Sequence, residues 1–328
     1  MRRPGWLIVI VAIVASAGGA IAATAFASQD PPGEAQYLVE LDAVVLDGDD
    51  RPVVGLRQED FQVKEDGRLV ELKTFDAVAD TGQGRPISRS IVLLLDDSGV
   101  GSGNTLAIQT IARMFVARMA PPDEFSVVRL NNRRDEAFGD RLEALLRISE
   151  YRSDALPFFG RETLENALTS LAKVSRTLEA IEQRRKALVC IGLSAVCNIV
   201  EPTTGRNSLL WRYWLDAIGA TARANASVYS LMPNGLSTRA ELANGSITDT
   251  TGGEAFRNTN DIGRVIDIIR RDTGNYYLLG YWPPPSSKAS HSIEVKVNKR
   301  GVRVRARRLR GAQTGGRIPN GPSSASAR

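Results

Sequence analysis

From Ser90 to Tyr281 the chain alternates short runs of consecutive apolar residues with longer stretches whose apolar residues return every three or four positions. Few architectures accept that alternation. The run Ile91–Leu95 is apolar throughout, as in a strand buried on both faces of a parallel sheet. Thr105 to Met119 follows, with Leu106, Ile108, Ile111, Phe115 and Met119 as its apolar residues, and stops before Pro121 and Pro122. The series continues through strand Phe125–Leu130, an edge strand near Ala137 and Phe138, and a short helix from Leu142 to Ile148. A long helix from Thr163 to Arg185, strand Lys186–Ile191, helix Leu209–Ala224 and strand Ser227–Met232 come next. A short strand Glu254–Phe256, a helix capped by Asn260 and a strand Tyr276–Tyr281 close it. This predicts an α/β fold: a doubly wound, mostly parallel, Rossmann-like sheet with helices on both faces.

On either side of this block the period changes to two. Val39–Leu46, Phe61–Lys64 and Leu69–Phe75 alternate, and the Asp66-Gly67 pair marks a hairpin turn. Ile293–Val297 and Val302–Ala306 alternate again and are expected to form a second hairpin, joined by Asn298–Gly301. A lone hairpin is marginal in water, so it needs a sheet to join. The expectation is a small β-sandwich-like domain built from both chain ends, 34–80 and 288–310, around a central domain at 88–282. Arg303, Arg305, Arg307 and Lys296 are read as a solvated basic face. Trp211 and Trp214, three residues apart on a helix, are read as packing against the sheet. The Gly- and Ser-rich tail 311–328 is expected to be disordered.

Arg2 and Arg3, the apolar run from Trp6 to Ala17 and the small residues ending at Ala27 form a secretory signal pattern over 1–27. The mature chain is then expected in the periplasm or outside the cell, or on the membrane if the segment stays uncleaved. A net charge of +5 is too modest to imply nucleic-acid binding. The two cysteines, Cys190 and Cys197, lie too far apart to bridge if the chain between them is extended. They are expected to remain unbridged, since bonding requires the chain to fold back at Gly192–Ala195.

The loop after Ile91–Leu95, Asp96 to Asn104, opens where ligands sit in doubly wound sheets. It lacks the lysine and glycine spacing of a phosphate loop and the spacing of a dinucleotide fingerprint. A serine nucleophile would need Gly-x-Ser-x-Gly and a histidine, whereas Ser98 follows Asp97 and His291, the only histidine, is read as a surface residue at a strand start. Asp96 and Ser98, two residues apart after a buried strand, can present hard oxygens to Mg²⁺ or Ca²⁺. The structural reading of the same pair is an acid that accepts hydrogen bonds from the glycine-rich turn and the helix start.

The Asp96-x-Ser98 pattern after an apolar strand resembles the metal-ion-dependent adhesion site of the von Willebrand factor type A domain. The wider chain is similar to the bacterial, exported VWFA-related family, on Gly55–Gly67, Thr250–Phe256, Tyr276–Tyr281 and Val302–Arg307. The resemblance implies a metal set of Asp96, Ser98 and Thr163. It also shows departures: Val100 stands where the family has its last serine, and Gly192, Leu193 and Ser194 stand where its third loop carries an aspartate. The implied site is therefore degenerate, with no cofactor expected and Mg²⁺ or Ca²⁺ as the ions such a site would take. The function implied is non-enzymatic: a protein-binding or adhesion module whose protein partner meets Asp97, Ser102, Asn104, Asn198 and Asn234 on the crest loops. Two other readings are an exported hydrolase using Ser98 or the Asp96/Asp97 pair, and a structural assembly factor binding through its helices or β-domain.

Overall fold

The computed structural model describes residues 38–80, 89–97, 104–120, 122–130, 138–153, 160–181, 185–192, 195–202, 208–232, 245–257, 259 and 261–311. The expected signal segment 1–27, Ala137, Ser98, Ser102, Asn234, Asn260 and residues 312–328 of the expected tail lie outside the described residues. In chain order the first strands are β1 (Val39–Leu46), β2 (Phe61–Glu65), β3 (Arg68–Val70) and β4 (Leu72–Ala79). The central block holds β5 (Ser90–Leu95), α1 (Thr105–Arg118), β6 (Glu124–Arg129), α2 (Arg141–Glu150), α3 (Arg161–Glu179), β7 (Lys186–Ile191), α4 (Leu209–Arg223), β8 (Ala226–Met232), α5 (Ile247–Thr251), β9 (Ala255–Arg257) and α6 (Ile262–Gly274). The last strands are β10 (Asn275–Tyr281), β11 (Ser290–Val297), β12 (Arg303–Ala306) and β13 (Leu309–Gly311).

The expected doubly wound sheet is present, with order β6-β5-β7-β8-β9 and parallel pairing throughout. Alternate residues of β5 point to opposite faces. Ile91, Leu93 and Leu95 pack with Ile108, Phe115 and Ile266 of α1 and α6, while Val92 and Leu94 pack with Leu168, Leu171 and Trp214 of α3 and α4. Two-sided burial explains why β5 and β7 read as unbroken apolar runs. Trp211 and Trp214 are buried in the second cluster, as their spacing predicts. The last helix starts one residue beyond the expected cap, where the Asp261 carboxylate accepts from the Arg264 amide. α3 ends at Glu179, short of Arg185, which is drawn into the β-sheet interface described below.

The chain ends combine, as the alternating segments require, into two antiparallel sheets ordered β12-β1-β10-β4 and β13-β11-β2-β3. Val39, Leu41, Val45, Val63, Leu279 and Ile293 form the core between them. At the β2–β3 turn Asp66 and Gly67 have φ of 50° and 80°, the left-handed pair a tight hairpin needs. Three strand assignments are corrected. The run at Tyr276–Tyr281 does not close the parallel series: as β10 it lies between β1 and β4, antiparallel to both. β11 and β12 do not form a hairpin; β11 joins β2 and β13, and β12 joins β1. Gly311 belongs to a strand, opposite Ser290.

The outer face of the β1–β10 sheet docks on the central domain through buried charge. Asp42 meets Arg185 at 3.4 Å and accepts from Asn225, and the Arg185 guanidinium lies 5.5 Å from the Tyr276 ring centre. Arg305 pairs with Glu254 and, at 2.5 Å, with Asp272. Arg307 donates to the carbonyls of Thr221 and Ala226. Burial raises the pKa of Asp42 and Asp272 and lowers that of Arg307 to about 10. The basic-face reading thus holds for Arg303 and Lys296, whose side chains are half exposed, and fails for Arg305 and Arg307, which face a second domain instead of water. Gly252 makes this approach possible, since a Cβ there would lie 2.9 Å from the Arg307 nitrogen; Gly253 lets the same turn pack on β8, where a Cβ would overlap the Val228 carbonyl.

Candidate functional site

In the strand order, the chain leaves β5 toward β6 and later returns to its other side as β7. The carboxyl ends of β5 and β7 therefore flank the topological switch point, where open α/β sheets hold ligands. Asp96 and Asp97 follow β5 there, and Gly192 follows β7. The Asp96 amide donates to the Ile191 carbonyl at 3.0 Å, extending the ladder by one residue.

Both carboxylates turn inward, with Asp96 at 0% and Asp97 at 1% exposure. Gly192 provides the space: a Cβ there would lie 2.7 Å from Asp96 Oδ2, closer still to Asp96 Cβ, and 2.9 Å from Cys197 Sγ. The Tyr151 hydroxyl donates to the Asp96 carbonyl at 2.6 Å, and the Gln109 side chain donates to the Tyr151 carbonyl at 3.0 Å. Burial, and then the charges of Asp96 and Asp97, push the Tyr151 phenol above its ordinary pKa, so it stays a donor. Next to it, the Ser153 amide donates to the Thr105 hydroxyl at 3.1 Å. The start of α1, the end of α2 and the tip of β5 are thereby fixed to one another.

The cysteines are bridged, contrary to expectation. A 3₁₀ turn at Ala195–Asn198 folds the chain back and brings the Cα atoms of Cys190 and Cys197 to 5.3 Å. The bridge ties the loop after β7 to the strand it leaves, directly behind Gly192 and Asp96.

The other predicted site residues divide. Thr163 is buried within the first turn of α3, one turn later than a free loop position, and its hydroxyl lies 3.5 Å from the Gly160 amide that donates to it. Asn198 is buried at 1%, with its side-chain oxygen accepting from the Thr248 hydroxyl at 2.9 Å. Asp97 and Asn198 therefore cannot offer side chains to a partner; they brace the crest from within. Asn104 is half-buried and precedes α1 without capping it through its side chain. Leu106, one residue into α1, is 66% exposed. The helical count already separates it from the buried face of Ile108, Ile111 and Phe115, because two positions along a helix is more than half a turn.

As a metal site the described crest offers two buried carboxylates and the Thr163 hydroxyl, with no side-chain oxygen from Val100 or Gly192. Elsewhere among the described residues, Glu65, Asp66 and His291 bring ligand atoms within 4.8 Å of one another. Their charge is already matched. Glu65 takes the Arg310 guanidinium at 2.5 Å and the Tyr281 hydroxyl at 2.6 Å, and Asp66 takes Lys288 at 3.1 Å. Burial works against it, yet the Ser292 amide, Lys288 and His291 hold the Asp66 carboxyl well below its usual range. His291 is buried at 3%, not at the surface as its strand-start position suggests, because β13 and the Asp66-Gly67 turn close over it.

No model of a known family matches the chain, and no curated protein does. Among solved structures it is similar to an aerotolerance-related membrane protein from Bacteroides fragilis at 12% identity, over 56% of this chain and 98% of that one, with a TM-score of 0.37. It is similar to the ArnB paralog VWA2 from Sulfolobus acidocaldarius at 11% identity, over 82% and 76% of the two chains, with a TM-score of 0.32. It is also similar to a mutant of the PilB minor pilin from Streptococcus sanguinis at 12% identity, over 59% and 64%, with a TM-score of 0.37.

Proposed function

We propose that this chain is an extracytoplasmic protein-binding module of the von Willebrand type A kind, without enzymatic activity, that takes its partner on the crest of the parallel sheet without a metal ion. The observation that carries the reading is the distribution of polarity at the tip of β5. Asp96 and Asp97 face inward, while Leu106, in the first turn of α1, is exposed. An apolar anchor on a rigid, disulfide-backed crest suits a protein surface, where large apolar side chains supply most of the contact energy. It does not suit bond-breaking, for which a nucleophile and base must share reach. His291, the one histidine in the sequence, is held 3.0 Å from Asp66 in the antiparallel sandwich.

The test is capture of a partner from the exported fraction by immobilised protein, in buffer with excess chelator. Wild type is expected to retain the same partner with and without chelator, and Leu106→Asp is expected to lose it. Capture that requires Mg²⁺ or Ca²⁺, or that survives Leu106→Asp unchanged, contradicts the reading.

A further inference from the structure

Beside the edge strand β9 lies a cleft of about 510 Å³, bounded on one side by α5 and β9 and on the other by β12 and Arg308. This is within the range of small-ligand sites. Its wall carries Arg257, Arg303, Arg305 and Arg308 against only Asp249 and Glu254. Three of the arginines are matched by carboxylates. Arg303 meets Asp50, Arg305 meets Glu254 and Asp272, and Arg308 meets Asp249. Arg257 is the remaining cation. Its Nε and Nη1 are buried and donate to no acceptor among the described residues.

A guanidinium left in this state costs stability, because desolvated donors gain nothing in return. Its backbone is nevertheless fixed, since Arg257 pairs with Met232 in the parallel ladder. As the last residue of β9 it also stands at the carboxyl end of the sheet, the end at which such folds bind ligands. With strands about 4.8 Å apart, β9 lies roughly 14 Å across the sheet from the tip of β5. Arg257 thus lies across the sheet from Asp96, although Asn198 of the crest reaches the cleft wall, and the proposal does not depend on the crest's role.

We propose that this cleft binds a small oxyanion, a carboxylate or phosphate group, with Arg257 as its anchor. The ligand supplies the acceptor that the Arg257 Nε and Nη1 lack, and a planar guanidinium is the side chain best matched to either group.

The test is calorimetric titration of the full chain with inorganic phosphate and, separately, with succinate. Saturable binding of at least one is expected, weakened at least tenfold in Arg257→Gln and within twofold of wild type in Arg176→Gln, at an exposed pair with Asp216 outside the cleft. Tighter phosphate identifies a phosphate-bearing ligand, and tighter succinate a carboxylate. Arg257→Lys keeps the charge and loses the fork, and is expected to bind at least threefold more weakly. No saturable binding of either anion by wild type overturns the proposal, as does unchanged affinity in Arg257→Gln. Should Arg257→Gln not fold, unchanged affinity in Arg257→Lys overturns it.

Discussion

Gly192→Ala is the perturbation that most sharply tests how the crest is built. The added Cβ would lie inside 3.0 Å of Asp96 Cβ, Asp96 Oδ2 and Cys197 Sγ. None of the three can easily yield. Asp96 Cβ is one bond from a backbone hydrogen-bonded to Ile191 and Tyr151, and Cys197 is covalently bridged. Overpacking of this kind costs about 1–3 kcal/mol. Displacing the buried Asp96 carboxylate from its surroundings adds about 1–3 kcal/mol. The more restricted unfolded chain returns roughly 0.4–1 kcal/mol. The net loss is about 1–5.6 kcal/mol, or a fall in Tm of roughly 2–20 °C. Urea and thermal unfolding read this directly through tryptophan fluorescence, because Trp211 and Trp214 are buried in the same core cluster as Cys190 and Cys197. Gly48→Ala is the control, since a Cβ there meets nothing within 4 Å. If Gly192→Ala unfolds within about 0.5 kcal/mol of wild type, Asp96 is not seated against Gly192 and the inward-facing acid pair is wrong.

Reduction of Cys190–Cys197, which closes a loop with a sequence separation of 7, is expected to lower stability by about 2–3 kcal/mol from loop entropy, measured by urea titration with and without reductant. Arg305→Ala leaves Asp272 and Glu254 without their cation at the domain interface and is expected to cost about 3–5 kcal/mol, while Arg303→Ala, at an exposed pair, is expected to cost about 1 kcal/mol or less. Burial lowers the Lys186 pKa from 10.5 to about 8. Between those values the unfolded chain holds the proton that the folded one has released, so this group makes stability rise with pH from about 8 upward. Lys186→Met is expected to flatten that part of the pH–stability curve.

The layer order was legible because its signal is periodic. A strand buried on both faces, such as β5, must be apolar at every position, and α6 must repeat its apolar residues at 3.6. What the same signal cannot distinguish is which sheet a doubly buried strand joins. Tyr276–Tyr281 reads like β5, yet it is buried by a sandwich core on one face and by Arg185 and the central domain on the other. The faces of β12 were misjudged for a related reason. Period two locates Arg305 and Arg307 on one side without saying whether water or another domain lies there. The Thr250–Phe256 segment held the missing clue, since Gly252 and Glu254 are residues against which that strand docks. At the crest, Asp96 and Gly192 were placed correctly by strand ends. The Cys190–Cys197 bridge was missed because it depends on a single 3₁₀ turn, and Leu106 because an apolar residue in a helical stretch was counted without asking on which face it falls.

The central claim, that a partner docks on the crest, is tested most directly by photo-crosslinking from genetically placed probes, with chelator present throughout. One probe replaces Asn104 at the start of α1, and the other replaces the exposed Glu124 at the amino end of β6, the opposite end of the same sheet. The account predicts a partner adduct from position 104 and none from 124. An adduct from 124 alone, or adducts from 104 that vanish with chelator, would contradict it.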